Sequence, residues 1–174
     1  MDFLELAKKR YSVRKFSKQP VEAEKLEQIL EAGRLSPTAV NFQPQRILVL
    51  NSEDNLSKLK NCTPYHFNAP LALLVCYDNT VSWKRSYDQN DSGTVDASIV
   101  TTHMLLEIAN LGLGTTWVGH FDPAAIQRAF SIPAHIVPIA LLPIGYPAED
   151  SQPHANHDRR YDNNHTVFYN TFSV

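Results

Sequence analysis

Apolar residues recur along this chain with two different periods, and the places where the period changes separate its elements. Phe3, Leu6 and Ala7 share one helical face, so residues 2–10 are predicted as a short amphipathic helix ending in Lys8, Lys9 and Arg10, cations suited to the negative end of its dipole. After Pro20, Leu26, Ile29, Leu30 and Gly33 repeat at helical spacing, with Glu22 and Glu24 in the first turn and Pro37 beyond the end, which predicts a second helix. Residues 36–45, SPTAVNFQPQ, are turn formers and small polar groups, and the β-branched run RILVLN follows as a strand. A short polar helix is expected around 53–60 and an apolar strand over 70–77. The stretch 78–92, with Asp78, Asn79, Asp88, Asn90, Asp91 and Gly93, reads as a turn-rich surface connection.

From Thr94 to Leu111 the positions Val95, Ile99, Leu105, Leu106 and Ala109 repeat with helical period, while Ala97 and Ser98 keep part of the surface small. This is the longest predicted helix and is expected at the centre. Gly112 and Gly114 end it, Thr115 to Val118 can extend as a strand, and Gly119 permits unusual backbone angles. Asp122 and Pro123 read as N-cap and first residue of a further helix that stops before Pro133. HIVPIALLPIGYP then reads as a buried strand whose prolines belong at edges or bulges, and the chain from Ser151 onward is polar and aromatic. Helices and strands mix without strict βαβ alternation, internal repeat or linker. An α+β sandwich is therefore expected, one domain over residues 1–174.

Composition narrows the function. A chain of 174 residues, 43% hydrophobic, suits one core, and its formal charge of −2 gives no global basic field for nucleic acid or an anionic membrane. Any anion site must be local. The apolar run at 69–77 is about half of a membrane span, and MDFLELAKKR lacks the apolar core of a signal peptide, so a cytoplasmic protein with no membrane partner is expected. Of the two cysteines, Cys76 lies in a strand-like run where a buried reduced thiol is the usual state. The seven histidines are scattered, with no HExxH, CxxC or His-x-His, and no metal site is expected. GLGTT lacks the third glycine of a dinucleotide fingerprint and follows a helix rather than a strand. His103 suits a hydrogen-bonded packing role, and Trp83 and Trp117 suit core or interface better than a stacking platform. His120, between Gly119 and Phe121, is the histidine more suited to chemistry.

Within this acidic chain KKRYSVRKF, residues 8–16, is a concentrated basic patch. The lysines fit a solvated helix end. Arg10, Ser12 and Arg14 stand at alternate positions and point one way if the chain beyond the helix is extended, making a polar fork.

Four segments, RYSVRKFSKQPV, SPTAVNFQPQRILVL, GLGTTWVGHFD and IALLPIGYP, resemble in order and spacing the nitroreductase family of FMN-dependent oxidoreductases, over nearly the whole chain. The resemblance implies a three-layer α+β sandwich, a central mainly antiparallel sheet flanked by helices, built as an intertwined homodimer with FMN at the subunit interface. It implies that Arg10, Ser12 and Arg14 hold the flavin phosphate, ribityl chain and N1/O2 ring edge, with backbone contacts from Tyr11; charge-assisted arginine bonds suit a dianionic phosphate. Ser36, Pro37, Thr38, Asn41 and Gln43 match the loop that reaches the flavin of the other subunit. Gly119 and His120 fall where the family presents backbone N–H toward flavin N5, and Arg159 or Arg160 where a cation returns to the phosphate.

Gln45 departs from the tryptophan that many relatives carry, and in so short a chain the helical excursion that covers the flavin of larger members is expected to be reduced. The implied activity is a ping-pong cycle. NADH or NADPH gives hydride to N5 and leaves, then a nitroaromatic, quinone or similar small acceptor takes its place, with Arg14 stabilising the anionic reduced flavin. No side-chain acid or base is obligatory. The alternatives are a flavin-binding sensor or carrier with little turnover, an interaction protein without cofactor, or a specialised reductase of dehalogenase type on the same fold.

Overall fold

A computed structural model describes residues 2–172. Its strands are β1 (Gln45–Leu50), β2 (Leu71–Asp78), β3 (Gly114–Thr115) and β4 (Ile136–Gly145). Its helices are α1 (Phe3–Lys9), α2 (Ala23–Arg34), α3 (Glu53–Lys60), α4 (Gly93–Asn110), α5 (Pro123–Ala129) and the single turn α6 (Asn163–Thr166), which the sequence reading did not anticipate.

The run at 71–78 is unbroken in apolarity because β2 is buried along its whole length, with a core on each face. Side chains alternate across a strand. Leu71, Leu73, Val75 and Tyr77 therefore meet Ile29 of α2 and Val100, Met104 and Ile108 of α4, while Ala72, Leu74 and Cys76 meet Leu59 of α3 and Ile126 of α5. The result is three layers. The sheet order is β1-β2-β4-β3, and every pair is antiparallel. Both cysteines are free and buried, and burial pushes the Cys76 thiol up to about 12.

The prolines of β4 sit where its ladder breaks. Val75 pairs with Ala140 but Cys76 with Pro138, so Ile139 is the extra residue of a bulge. The bulge changes which residues face the α2–α4 core, from Val137 and Ile139 before it to Ala140, Leu142 and Ile144 after it. Pro143 lies between the Thr115–Ile144 pair and the Val118–Leu141 bridge, where the neighbouring edge strand has left the sheet. The strand expected over 115–118 is accordingly shorter. Only Gly114–Thr115 runs as β3, and Val118 rejoins through one bridge.

Helix ends follow local chemistry. Asp122 accepts the Ala124 and Ala125 amides at 2.9 and 3.1 Å, ahead of Pro123. Gly112, at φ +75°, takes the left-handed position that closes α4. Two expectations about faces are corrected. The buried side of α4 is Asp96, Ala97, Val100, Thr101, Met104 and Ile108, whereas Val95 is exposed; α4 is apolar nearly all round, so period alone did not select the core face. The apolar face of α1 buries no residue fully, and Phe3 and Leu4 are exposed. Among the described residues no helix is long and apolar enough to cross a membrane.

Candidate active site

Beyond α1 the chain runs extended along β3. Ser12 bridges Thr115 in parallel, and the Val13 amide donates to the Thr115 carbonyl at 2.9 Å. Val13 is buried against Gly114, where a Cβ would come within 2.6–2.8 Å of the valine side chain, so this close approach requires glycine. With Val13 turned inward, Tyr11, Ser12 and Arg14 line a cleft completed by His154, Asn156 and His157. Tyr11 is fixed by donating its hydroxyl to the Ser151 carbonyl at 3.4 Å and hydroxyl at 3.3 Å, and it meets His157 edge-on. The Arg14 guanidinium donates to the Ser12 carbonyl at 3.3 Å. Arg14 also lines a second cleft of about 220 Å³, walled by Tyr65, Phe67, Trp117, Val118, Gly119 and His120, so the two clefts meet at this arginine.

Arg10 closes α1 and faces an adjoining cavity of about 230 Å³ with Lys9, Leu105, Gly112 and Thr115. Burial lowers its pKa, and the nearby charge of Arg160 lowers it further. Arg10, Arg14, Arg159 and Arg160 enter no ion pair among the described residues. The Thr115 hydroxyl is buried without a hydrogen-bond partner among the described residues. Of the closing pair, Arg160 is the one whose charge reaches Arg10; its guanidinium donates to the His157 and Arg159 carbonyls.

The turn 119–121 is exposed at Gly119 and His120 and anchored on both sides. Val118 exchanges hydrogen bonds of 2.9 Å with Leu141, and the Asp122 amide donates to the Cys62 carbonyl at 3.0 Å. Gly119 does not have a positive φ, contrary to expectation, and a Cβ there would meet only Trp117 Nε1 at 3.9 Å. Among the described residues nothing demands glycine at this position. The Gly119 and His120 amides donate to no group among the described residues.

The loop 36–43 lies elsewhere. Buried Ser36 donates to the Ala32 carbonyl at 3.0 Å, the Thr38 hydroxyl accepts the Gln43 amide at 3.1 Å, and the Gln43 side-chain amide donates to the Asn41 carbonyl at 3.2 Å. Pro37 is exposed between them. Buried Asp96 in the first turn of α4 ties the loop down, accepting the Ala39 amide and the Ser92 hydroxyl, each at 2.8 Å. Val40, Asn41 and Gln43 are all left-handed, at φ +54°, +57° and +52°. The 10–14 segment packs instead at the far end of this 18-residue helix, roughly 27 Å away at about 1.5 Å per residue. One chain therefore brings Arg10, Tyr11, Ser12, Arg14, Gly119, His120 and Arg160 into one region and leaves Ser36, Pro37, Thr38, Asn41 and Gln43 at the other end of α4.

The sequence profile of the Nitroreductase family matches residues 7–63 and 57–146. The chain belongs to the Nitroreductase family. A nitroreductase family protein of Clostridium difficile 630, solved by crystallography, is 40% identical and superposes with a TM-score of 0.93 over 99% of this chain and 100% of its own. An FMN-dependent nitroreductase of Clostridium difficile R20291 is 27% identical, with a TM-score of 0.82 over 98% and 100% of the two chains. A Methanothermobacter thermautotrophicus protein, provisionally named an NADH dehydrogenase/NAD(P)H nitroreductase, is 34% identical over 157 residues, covering 86% of this chain and 80% of its own.

This nitroreductase-family chain also places residues in the region that pattern reading passed over. Tyr65 and Phe67 lie in the turn before β2, between the helix expected around 53–60 and the strand expected over 70–77, a stretch to which the sequence pattern assigned no element. At the other end of α4, Asp96, which ties down loop 36–43, was passed over as well, although an acid among Val95, Ala97 and Ile99 was a signal.

Proposed function

We propose that the protein is an FMN-dependent NAD(P)H oxidoreductase of the nitroreductase type, working as a homodimer that reduces nitroaromatic, quinone or similar planar acceptors. The observation that carries this reading is the group of arginines that enter no ion pair among the described residues, with Arg10 within reach of the Arg160 charge and sharing a cavity with the buried Thr115, whose hydroxyl has no hydrogen-bond partner among them. Such uncompensated charge suits a phosphate dianion, which accepts charge-assisted hydrogen bonds from guanidinium groups. The names of the FMN-dependent and NAD(P)H relatives agree with it.

Bound FMN would supply hydride transfer at its N5 atom. Arg10, with Arg160 or Arg159, would hold its phosphate, and Ser12 would hold the ribityl chain. Arg14, where the two clefts meet, would lie at the N1/O2 edge and stabilise negative charge there. The amides of Gly119 and His120 would be free to donate toward N5. The aromatic walls of Tyr65, Phe67 and Trp117 suit one planar ring at a time, so donor and acceptor would alternate in the same cleft.

The separation of loop 36–43 from this region by the length of α4 supports a dimer in which that loop completes the partner's site. The test is steady-state NADH and NADPH oxidation by FMN-loaded protein with menadione or nitrofurazone. Acceptor-dependent turnover is expected, and FMN-loaded protein that oxidises neither nucleotide with any such acceptor contradicts the reading.

A further inference from the structure

Between Val118, fixed to β4, and Asp122, fixed to Cys62 and capping α5, only Gly119, His120 and Phe121 lie outside regular structure. Among the described residues they make one hydrogen bond. The Thr63 hydroxyl donates to the His120 carbonyl at 2.6 Å and accepts the Tyr65 amide at 3.1 Å. Thr63 is buried, at 3% exposure, so its hydroxyl has little water to turn to, and both of its hydrogen-bonding roles are used. The Tyr65 ring meets the His120 ring edge-on at 5.4 Å, which makes a second link between the same two turns. Phe67 and Asn68, at φ +54° and +51°, complete a turn held in the left-handed region.

We infer that Thr63 is a positioning residue: its hydroxyl clamps the 119–121 turn and so fixes the Gly119 and His120 amides at the face where hydride is transferred. The inference rests on the proposed flavin function. The physical reason is preorganisation. An amide donor serves a reacting atom when its direction is set beforehand, and one hydrogen bond sets it here. Thr63 itself touches none of the reacting groups and acts only through the backbone of His120.

The test compares Thr63→Val, which keeps the shape and removes the hydroxyl, with Thr63→Ser, which keeps the hydroxyl. Nitrogen-15 relaxation of the Gly119 and His120 amides reads the clamp directly and without any cofactor. Thr63→Val is expected to lower their order parameters from about 0.85 to below about 0.6, while Val118 and Asp122 stay rigid and Thr63→Ser matches wild type. With FMN loaded, flavin reduction by NAD(P)H in a single turnover should slow about tenfold in Thr63→Val and recover in Thr63→Ser, with FMN affinity unchanged because the arginines are untouched. Unchanged order parameters in Thr63→Val, or lowered ones with an unchanged reduction rate, overturn the positioning role and leave the flavin reading standing. Wild-type protein that binds no FMN overturns both.

Discussion

At the scale of single residues, charge decides most. Arg10 is partly buried within reach of a second guanidinium's charge and has no carboxylate partner among the described residues, an arrangement that is unfavourable until an anion arrives. Arg10→Ala should weaken FMN binding by about 2–4 kcal/mol, roughly 30-fold or more, in a fluorescence titration; unchanged affinity would remove Arg10 from the phosphate site. Asp78 is governed by a different balance. Hydrogen bonds from the Thr80 hydroxyl and amide, then the Arg46 guanidinium, hold its carboxyl below the ordinary value. A depressed carboxyl contributes stability that is full above the unfolded value, about pH 4, and is lost as pH falls through the lower folded value. Asp78→Asn should therefore be less stable than wild type at neutral pH, with the gap closing below about pH 4 in urea titrations. A gap that persists in acid would assign the effect to shape rather than charge. The period-two reading of the extended chain places Ser12 and Arg14 on one cleft, as the structure has them, whereas Arg10, which closes α1, faces the adjoining cavity. Thr63 was not legible in the sequence, because its partner is 57 residues away and backbone carbonyls leave no mark on composition.

At the scale of elements, the sequence pattern located α2, α3, α4, β1 and β2 to within one or two residues, since caps and turn formers bound each of them. The pattern was weaker wherever tertiary pairing decides. β3 is two residues long because its neighbour presents Pro143, and the buried face of α4 is set by what packs on it rather than by its period. The junction of the 10–14 segment with β3 is tight at Gly114. Gly114→Ala would drive a methyl into Val13, whose branched side chain is 2% exposed and cannot swing aside. It should cost about 1–3 kcal/mol of stability and displace Ser12 and Arg14, weakening FMN binding with it. Calorimetry together with FMN titration checks this, and an unperturbed melting temperature would show that the segment shifts freely.

At the scale of the whole molecule, the chain leaves large apolar side chains uncovered. Phe3, Leu4, Val40 and Phe42 are exposed, as are Tyr161 and Tyr169 of the C-terminal segment, at 80% and 83%. So much exposed apolar surface, at both ends of α4 and along the tail, suits a partner surface rather than solvent. If the site halves come from two chains, a mixed dimer of Arg10→Ala and Asn41→Gly chains has one doubly damaged site and one intact site. It should bind FMN with wild-type affinity at half the wild-type stoichiometry. Glycine is chosen because it keeps the left-handed backbone of Asn41 while removing its amide. Weak binding at every site would mean that each chain builds its site alone. Before any of this, the arginine-rich region must hold a reducible flavin. The most direct measurement is the visible absorbance spectrum of the purified protein, saturated with FMN and titrated anaerobically with NADH or NADPH. A bound flavin spectrum that bleaches on addition of either nucleotide is the predicted result; protein that retains no FMN, or bound FMN that stays oxidised with both, would contradict it.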